Sequence, residues 1–260
     1  MNAIEKLFSE KKKNICSIYF TAGFPQLNDT KKILHSLQKN GADIIEIGMP
    51  YSDPLADGPV IQNSSMKALR NGMTIKILFD QLNNCKDEIQ VPRILMGYLN
   101  PVLQYGFEKF CRDAKNAGIS GIILPDLPLT EYEYENEYKK VLEENDLDFI
   151  FLVTPETSEE RIRKIDSLSK AFIYAVSSSS ITGTDTNLNA QESYFQRIKN
   201  MDLKNKVLIG FGIKDHETFS QACKYAEGAI IGTAYIKAIE NSDNIDFATE
   251  SFLNSILQSW

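Results

Sequence analysis

Short apolar runs alternate with longer amphipathic stretches from one end of the chain to the other. The runs are ICSIYF (around Cys16), DIIEI (Glu46), RILMGY (Met96), GIILP (Ile123), DFIFLV (Phe151), AFIYAV (Tyr174), VLIGFG (Ile209) and GAIIG (Ile230). They are short and rich in Ile, Val, Phe and Tyr, the residues that pack well on a pleated surface, and eight strands are expected. Between them, residues 30–40, 107–117 and 158–168 carry apolar positions at helical spacing, such as Ile33, Leu34 and Leu37. The phrases NGAD (Gly41), NAGIS (Gly118) and YAEGA (Gly228) end helices on a small residue and lead directly into a strand. Eight such units over about 250 residues match a closed parallel barrel, whereas a doubly wound sheet usually has five or six strands. The expected fold is a single (β/α)8 TIM barrel spanning residues 1–260, with an extra amino-terminal helix formed by MNAIEKLFSEKKK. The run EYEYENEYKK, which contains Tyr132 and Lys140, is expected to be the solvated face of a helix.

One run breaks the apolar pattern. Residues 44–59 read IIEIGMPYSDPLADGP, with Glu46 between isoleucines and with Asp53 and Asp57 in the proline-rich loop that follows. Ile44, Ile45 and Ile47 make both strand faces apolar, as in a parallel strand covered on both sides. A carboxylate there must find partners or shift its pKa, which marks Glu46 as a candidate acid/base group. Asp53 and Asp57 are each open to a second reading, as an Asx turn or as a cap for the helix that follows.

Composition narrows the field. Lys and Arg total 28 against 35 Asp and Glu, a formal charge of -7, so nucleic acid is not an expected partner. Cys16, Cys85, Cys111 and Cys223 are scattered, with no CxxC pair and no secretory signal, which favours a reducing cytoplasm over a disulfide framework. No apolar run approaches the roughly 20 residues that span a bilayer, so no membrane association is expected. His35 and His216 both fall in helical patterns away from any carboxylate or cysteine cluster, and no metal site is expected.

In a parallel barrel the site lies at the carboxyl ends of the strands, where Glu46 and the Asp57 loop both fall. Three more loops there are built of small residues: SSSSITGTD (residues 177–185), GFGIKD (residues 210–215) and IGTAYIK around Gly232 and Thr233. Small residues let backbone N–H groups approach an anion, and in such barrels the last loops are the usual place for a phosphate. Tyr19, Met96, Tyr98, Ile123, Tyr174 and Phe211 sit at strand ends where they can line a pocket for a flat apolar group; each singly also reads as barrel core. No candidate strand places a lysine for Schiff-base chemistry, and acid/base work by carboxylates remains.

The string IEIGMPYSDPLADGPVIQ, together with YFTAGFP (Thr21), ITG (Thr182, Gly183), GFGI (Phe211, Gly212) and GTA (Gly232), resembles the tryptophan synthase alpha subunit family, in the same order along essentially the whole chain. The resemblance implies a TIM-barrel lyase that cleaves indole-3-glycerol phosphate to indole and D-glyceraldehyde 3-phosphate in L-tryptophan biosynthesis. It implies Glu46 and Asp57 as the catalytic carboxylates. Tyr19, Met96, Tyr98, Ile123, Tyr174, Thr182 and Phe211 would form the substrate pocket, and Gly183, Gly212, Gly232 and Thr233 the phosphate cradle. No cofactor is implied in this chain. PLP is expected in a partner beta subunit, docked at Tyr51, Asp53 and Asn100 in an alpha-beta-beta-alpha tetramer. Two positions depart from the pattern: Ser180 stands where many members have glycine, and Thr233 where serine is common. A scaffold subunit with poor turnover, or a sugar-phosphate isomerase on the same barrel, would not call for the Glu46 and Asp57 pair.

Overall fold

The computed structural model describes residues 2–134, 137–176, 188–210 and 212–257. Nine parallel strand segments form the inner sheet: β1 (Ile15–Thr21), β2 (Ile44–Gly48), β3 (Arg93–Met96), β4 (Gly121–Ile123), β5 (Asp148–Phe149), β6 (Phe151–Val153), β7 (Phe172–Val176), β8 (Lys206–Gly210) and β9 (Gly228–Ile231). Their order is β5-β4-β3-β2-β1-β9-β8-β7-β6. Only Ile150 separates β5 from β6, and its N–H donates to Ile122 O at 3.0 Å. The run DFIFLV is therefore one strand whose first half pairs with β4 and whose second half pairs with β7. That strand closes the ring, and the nine segments are the eight expected strands.

Parallel pairing puts directly opposed residues on the same face, and the register sorts inside from outside. Tyr19 opposes Glu46, and Glu46 opposes Ile94, so these three point into the ring. The interior is filled by Ile15, Ile44, Ile94, Ile123, Ile150, Phe172, Leu208 and Ile230. It is plugged at the amino ends of the strands by Ile4 and Phe8 of the helix Ala3–Glu10. This extra helix is held by an Asn2–Glu5 capping box, and Asn2 Nδ2 also donates to Ser120 O at 2.9 Å. Gly121 makes room for the plug, since a Cβ there would lie 2.6 Å from Ile150 and 3.2 Å from Ile4. A second and larger apolar layer joins the outward faces of the strands to the surrounding helices.

Two crossovers carry two helices rather than one: Pro59–Arg70 with Ile75–Asn83, and Leu99–Tyr105 with Phe107–Asn116; the crossover after β4 carries the helical stretches Leu129–Tyr134 and Glu137–Glu144. The first two breaks have a local cause. Gly72 and Gly106 both have φ +93°, a backbone conformation that stops a helix and that glycine adopts without strain. A final helix, Ile245–Leu257, packs over the helices Asp29–Lys39 and Thr233–Glu240 and has no counterpart in the sequence expectation.

One other expectation is corrected. Tyr132 is not on a solvated face: it is buried, with its ring centroid 5.0 Å from those of both Phe149 and Phe151. The acidic neighbours in sequence hid an apolar position. His35 Nε2 lies 3.0 Å from a single carboxylate, Glu88 Oε2, on the outer surface.

Candidate active site

The carboxyl ends of the strands open into a cavity of about 600 Å³. Tyr19, Met96, Leu152, Tyr174 and Ile230 form its floor, and Asp57, Gly212, Gly232 and Thr233 line it higher up. The two tyrosine rings fit because the strands beside them carry glycine. A Cβ on Gly48 would sit 2.1 Å from the Tyr19 hydroxyl, and one on Gly210 would sit 2.1 Å from the Tyr174 ring. A larger groove of about 720 Å³, between the helices Glu159–Leu168 and Leu188–Asn200, lies on the outside of the ring, away from the strand ends.

Glu46 opposes Tyr19 of this floor in register, is fully buried, and is not itself among the residues that line the cavity. Its Oε1 accepts a hydrogen bond from Ser17 Oγ at 2.8 Å, and its Oε2 has no partner among the described residues. Burial pushes its pKa up from 4.5 to about 7, and the Ser17 hydrogen bond opposes part of the rise. Near neutrality the side chain is thus divided between acid and carboxylate, the condition in which a proton donor can reload.

Asp57 is held from the side. Tyr98 Oη donates to its Oδ2 at 3.0 Å and accepts from Ala56 N–H at 3.0 Å, fixing the loop after β2 to the end of β3. The side chain caps no helix, because the following helix starts at Gly58 and Pro59 with no side-chain cap. Burial pushes the Asp57 pKa up to about 6, and the Tyr98 hydrogen bond opposes it. Asp57 is ionised while Glu46 still keeps its proton in the interval between these two values, from about 6 to about 7.

Glycine backbone, a helix amino terminus and two lysines gather at the far end of the cavity. Gly212 has φ +73°, and a Cβ there would meet nothing within 4 Å, so backbone faces open space. The helix Thr233–Glu240 starts at the cavity wall with Gly232 as its uncapped first position, presenting the positive end of its dipole. Lys214 and Lys237 line the same cavity.

The remaining sequence candidates fall in three groups. Ile123 is fully buried in the barrel interior and does not line the cavity, and Tyr98 acts on Asp57. Thr182, Gly183 and Phe211, with Ser180, lie outside the described residues. Tyr51, Asp53 and Asn100 cluster at the mouth: Asn100 Nδ2 donates to Tyr51 Oη at 3.3 Å, the Tyr51 and Tyr98 rings are 5.3 Å apart, and Asp53 is exposed. The backbone N–H of Leu99 donates to Asp126 at 2.9 Å, so loops after three successive strands are tied together. Leu55 and Leu103 present exposed apolar side chains from the segments around this cluster.

Sequence reasoning missed Ser17, Leu152, Lys214, Lys237 and Phe252, which comes to the cavity from the last helix. Ser17 did carry a signal: a polar residue two positions before Tyr19 in an otherwise apolar strand. Phe252 carried none, since only the packing of the last helix brings it there. Among the described residues no group of three metal-ligating side chains occurs, and no helix is long and apolar enough to cross a membrane. All four cysteines are free thiols.

Comparison with known proteins is consistent along the whole chain. The family model described as tryptophan synthase alpha chain matches residues 5–256. The tryptophan synthase alpha chain of Flavobacterium johnsoniae is 56% identical over 243 residues, covering 93% of this chain and 95% of that one. That of Phocaeicola vulgatus is 51% identical over 260 residues, covering 100% and 99%. Among solved structures, the tryptophan synthase alpha chain of Legionella pneumophila superposes with a TM-score of 0.88 at 33% identity, covering 99% of this chain and 97% of that one.

Proposed function

The chain belongs to the tryptophan synthase alpha chain family, lyases that cleave indole-3-glycerol phosphate in tryptophan biosynthesis, and from that premise we propose that Glu46 and Asp57 divide the acid/base work of the cleavage between them. The bond to be broken joins indole C3 to the glycerol carbon that bears a hydroxyl. It breaks easily only after C3 has taken a proton, which gives an indolenine whose ring nitrogen is positive. Glu46 supplies that proton. As the carbon–carbon bond opens, its electron pair restores the aromatic ring and the hydroxyl becomes an aldehyde, releasing a proton that returns to Glu46. Atoms balance with no water consumed: indole and D-glyceraldehyde 3-phosphate leave, and the carboxyl group is as it began. Ionised Asp57 faces the indole N–H and stabilises the positive charge as it develops.

The observation that carries this reading is the burial of Glu46, with one oxygen unpartnered among the described residues, next to Tyr19, which lines a cavity that also has Asp57, Gly212 and Gly232 in its wall. Tyr19, Met96 and Tyr174, with Thr182 and Phe211, serve the indole and glycerol portion, Tyr98 acts through Asp57 and Ile123 packs in the barrel interior, while Gly183, Gly212, Gly232 and Thr233 hold the phosphate, aided by the helix amino terminus behind Gly232. We place the whole chain in one barrel domain, in the cytoplasm. Its partner is the PLP-containing beta subunit, docked over Tyr51, Asp53 and Asn100 in an alpha-beta-beta-alpha tetramer. A covered mouth keeps a small apolar product from escaping and excludes water from the acid. Asp57→Asn tests the division of labour. Turnover should fall by roughly a hundredfold while affinity for substrate changes little; an equal loss in both would make Asp57 a binding residue and overturn its assigned role.

A further inference from the structure

Ser17 and Glu46 are both fully buried, on adjacent strands of the ring, and the serine hydroxyl is 2.8 Å from Oε1. Ser17 precedes Tyr19 by two residues on β1, so it shares the inward face and lies one layer below the paired positions Tyr19 and Glu46. Among the described residues the Ser17 hydroxyl makes no other side-chain hydrogen bond than the one it donates to Glu46 Oε1. Glu46 Oε2 is unpartnered.

A carboxylic acid has one oxygen that accepts and one that carries the proton. An oxygen that already accepts from a serine hydroxyl is the poorer seat for the proton, because the two hydrogens would then face each other. We propose that Ser17 is a positioning residue for the lyase reaction, holding Glu46 Oε1 as the carbonyl oxygen so that the transferable proton resides on Oε2. This rests on the reading of Glu46 as the proton donor. The proton on Oε2 passes to indole C3, the hydroxyl proton of the glycerol portion returns to the same oxygen, and the Ser17 hydrogen bond persists throughout the cycle. During the moment when Glu46 is ionised, the same bond steadies the anion, and among the described residues it is the one hydrogen bond the carboxylate accepts. Without Ser17 the carboxyl group is free to turn about its last bond and to carry the proton on either oxygen.

The consequence separates a positioning role from simple pKa tuning. Loss of a hydrogen bond to the ionised form raises the pKa of Glu46, so Ser17→Ala holds more of its acid form at a given pH above neutrality. Tuning alone would then make the variant faster on the alkaline side. Loss of positioning makes it slower at every pH, since small misplacements of a reacting group are costly in rate.

The experiment is the pH profile of indole release from indole-3-glycerol phosphate for the wild-type chain, Ser17→Ala, Ser17→Thr and Glu46→Gln. For Ser17→Ala the alkaline limb is expected to move up by about half a unit to one unit, and the plateau to fall about tenfold. Ser17→Thr keeps a hydroxyl and should restore both. An unmoved limb with an unchanged plateau overturns the proposal, as does a raised limb with an unchanged plateau, which reduces Ser17 to tuning. A lower plateau with an unmoved limb also overturns it, because that is a packing defect. If Ser17→Ala does not fold, the infrared band of the protonated Glu46 carbonyl, identified by its loss in Glu46→Gln, is compared between wild type and Ser17→Thr. A band at the frequency of a hydrogen-bonded acid in both supports the proposal, and one at the frequency of a free acid overturns it. Normal turnover by Glu46→Gln would instead remove the role of Glu46 itself, an outcome distinct from any of these.

Discussion

Tyr98 holds Asp57 in place: its hydroxyl donates to Asp57 Oδ2 at 3.0 Å while accepting from the backbone N–H of Ala56 at the same distance. One phenol thereby fixes both a carboxylate and the loop that carries it. It also keeps the Asp57 pKa from rising further. Tyr98→Phe should cost about 1 kcal/mol of stability. It should also shift the acid limb of the rate profile upward, since Asp57 then titrates higher. Both are measurable, by urea unfolding and by the pH dependence of kcat/KM; an unmoved acid limb would mean that Tyr98 does not act through Asp57.

The wild-type profile follows from the two carboxylates. Activity requires Glu46 protonated, with a pKa near 7, and Asp57 ionised, with a pKa near 6. Activity is lost as pH falls through the lower value and as it rises through the higher one, so kcat/KM of the isolated chain should peak between about 6 and 7. The acid limb should disappear in Asp57→Asn, which separates it from titration of the substrate phosphate. A profile flat from pH 5 to 9 would contradict both assignments.

Glu46 also links stability to pH. Its folded-state pKa is raised from 4.5 to about 7, so the native protein holds a proton that the unfolded chain has released. Stability is therefore lost as pH rises from about 4.5 through 7, by up to about 3 kcal/mol from this group alone. Glu46→Gln removes the effect. Between pH 5 and pH 8 the variant should gain stability relative to wild type, read as a difference in urea midpoints. Parallel pH dependence in the two proteins would show that Glu46 ionises freely in the folded state.

Much of this was legible in the sequence, and the limits have physical causes. Strand positions were readable because both faces of each strand are buried, leaving continuous apolar runs, and Glu46 stood out as the charge interrupting one of them. The paired helices in two crossovers were not, because a helix broken at Gly72 or Gly106 keeps an apolar stripe on both sides of the break. Tyr132 was hidden by the glutamates around it, although only its own position on the helix decides its burial. Asp57 was visible as a candidate, but its anchor Tyr98 was not assigned to it, since a hydrogen bond across 41 residues leaves no local pattern. Ser17 differs in that it left a local mark, a polar residue in an apolar strand, but its partner Glu46 is identified only when β1 and β2 are set in register.

The mouth carries the prediction about assembly. Leu55 is 90% exposed, beside Asp53 in the loop after β2, and Leu103 is exposed on the helix Leu99–Tyr105. Burying apolar side chains of this size against a beta subunit favours association, by about 1.5 kcal/mol or more for a leucine fully covered. Leu55→Ser and Asp53→Lys should each weaken binding of the beta subunit and its effect on the rate of this chain, measured by titration calorimetry and by indole release. Unchanged affinity in both variants would move the docking surface elsewhere.

The most direct measurement is a single turnover of indole-3-glycerol phosphate by Glu46→Gln, with substrate affinity measured separately on the same variant. The amide keeps the shape of the side chain and removes the transferable proton, so binding should stay within a few-fold while cleavage slows by roughly a hundred- to ten-thousandfold. Cleavage at the wild-type rate with normal binding would contradict the assignment of Glu46 as the acid.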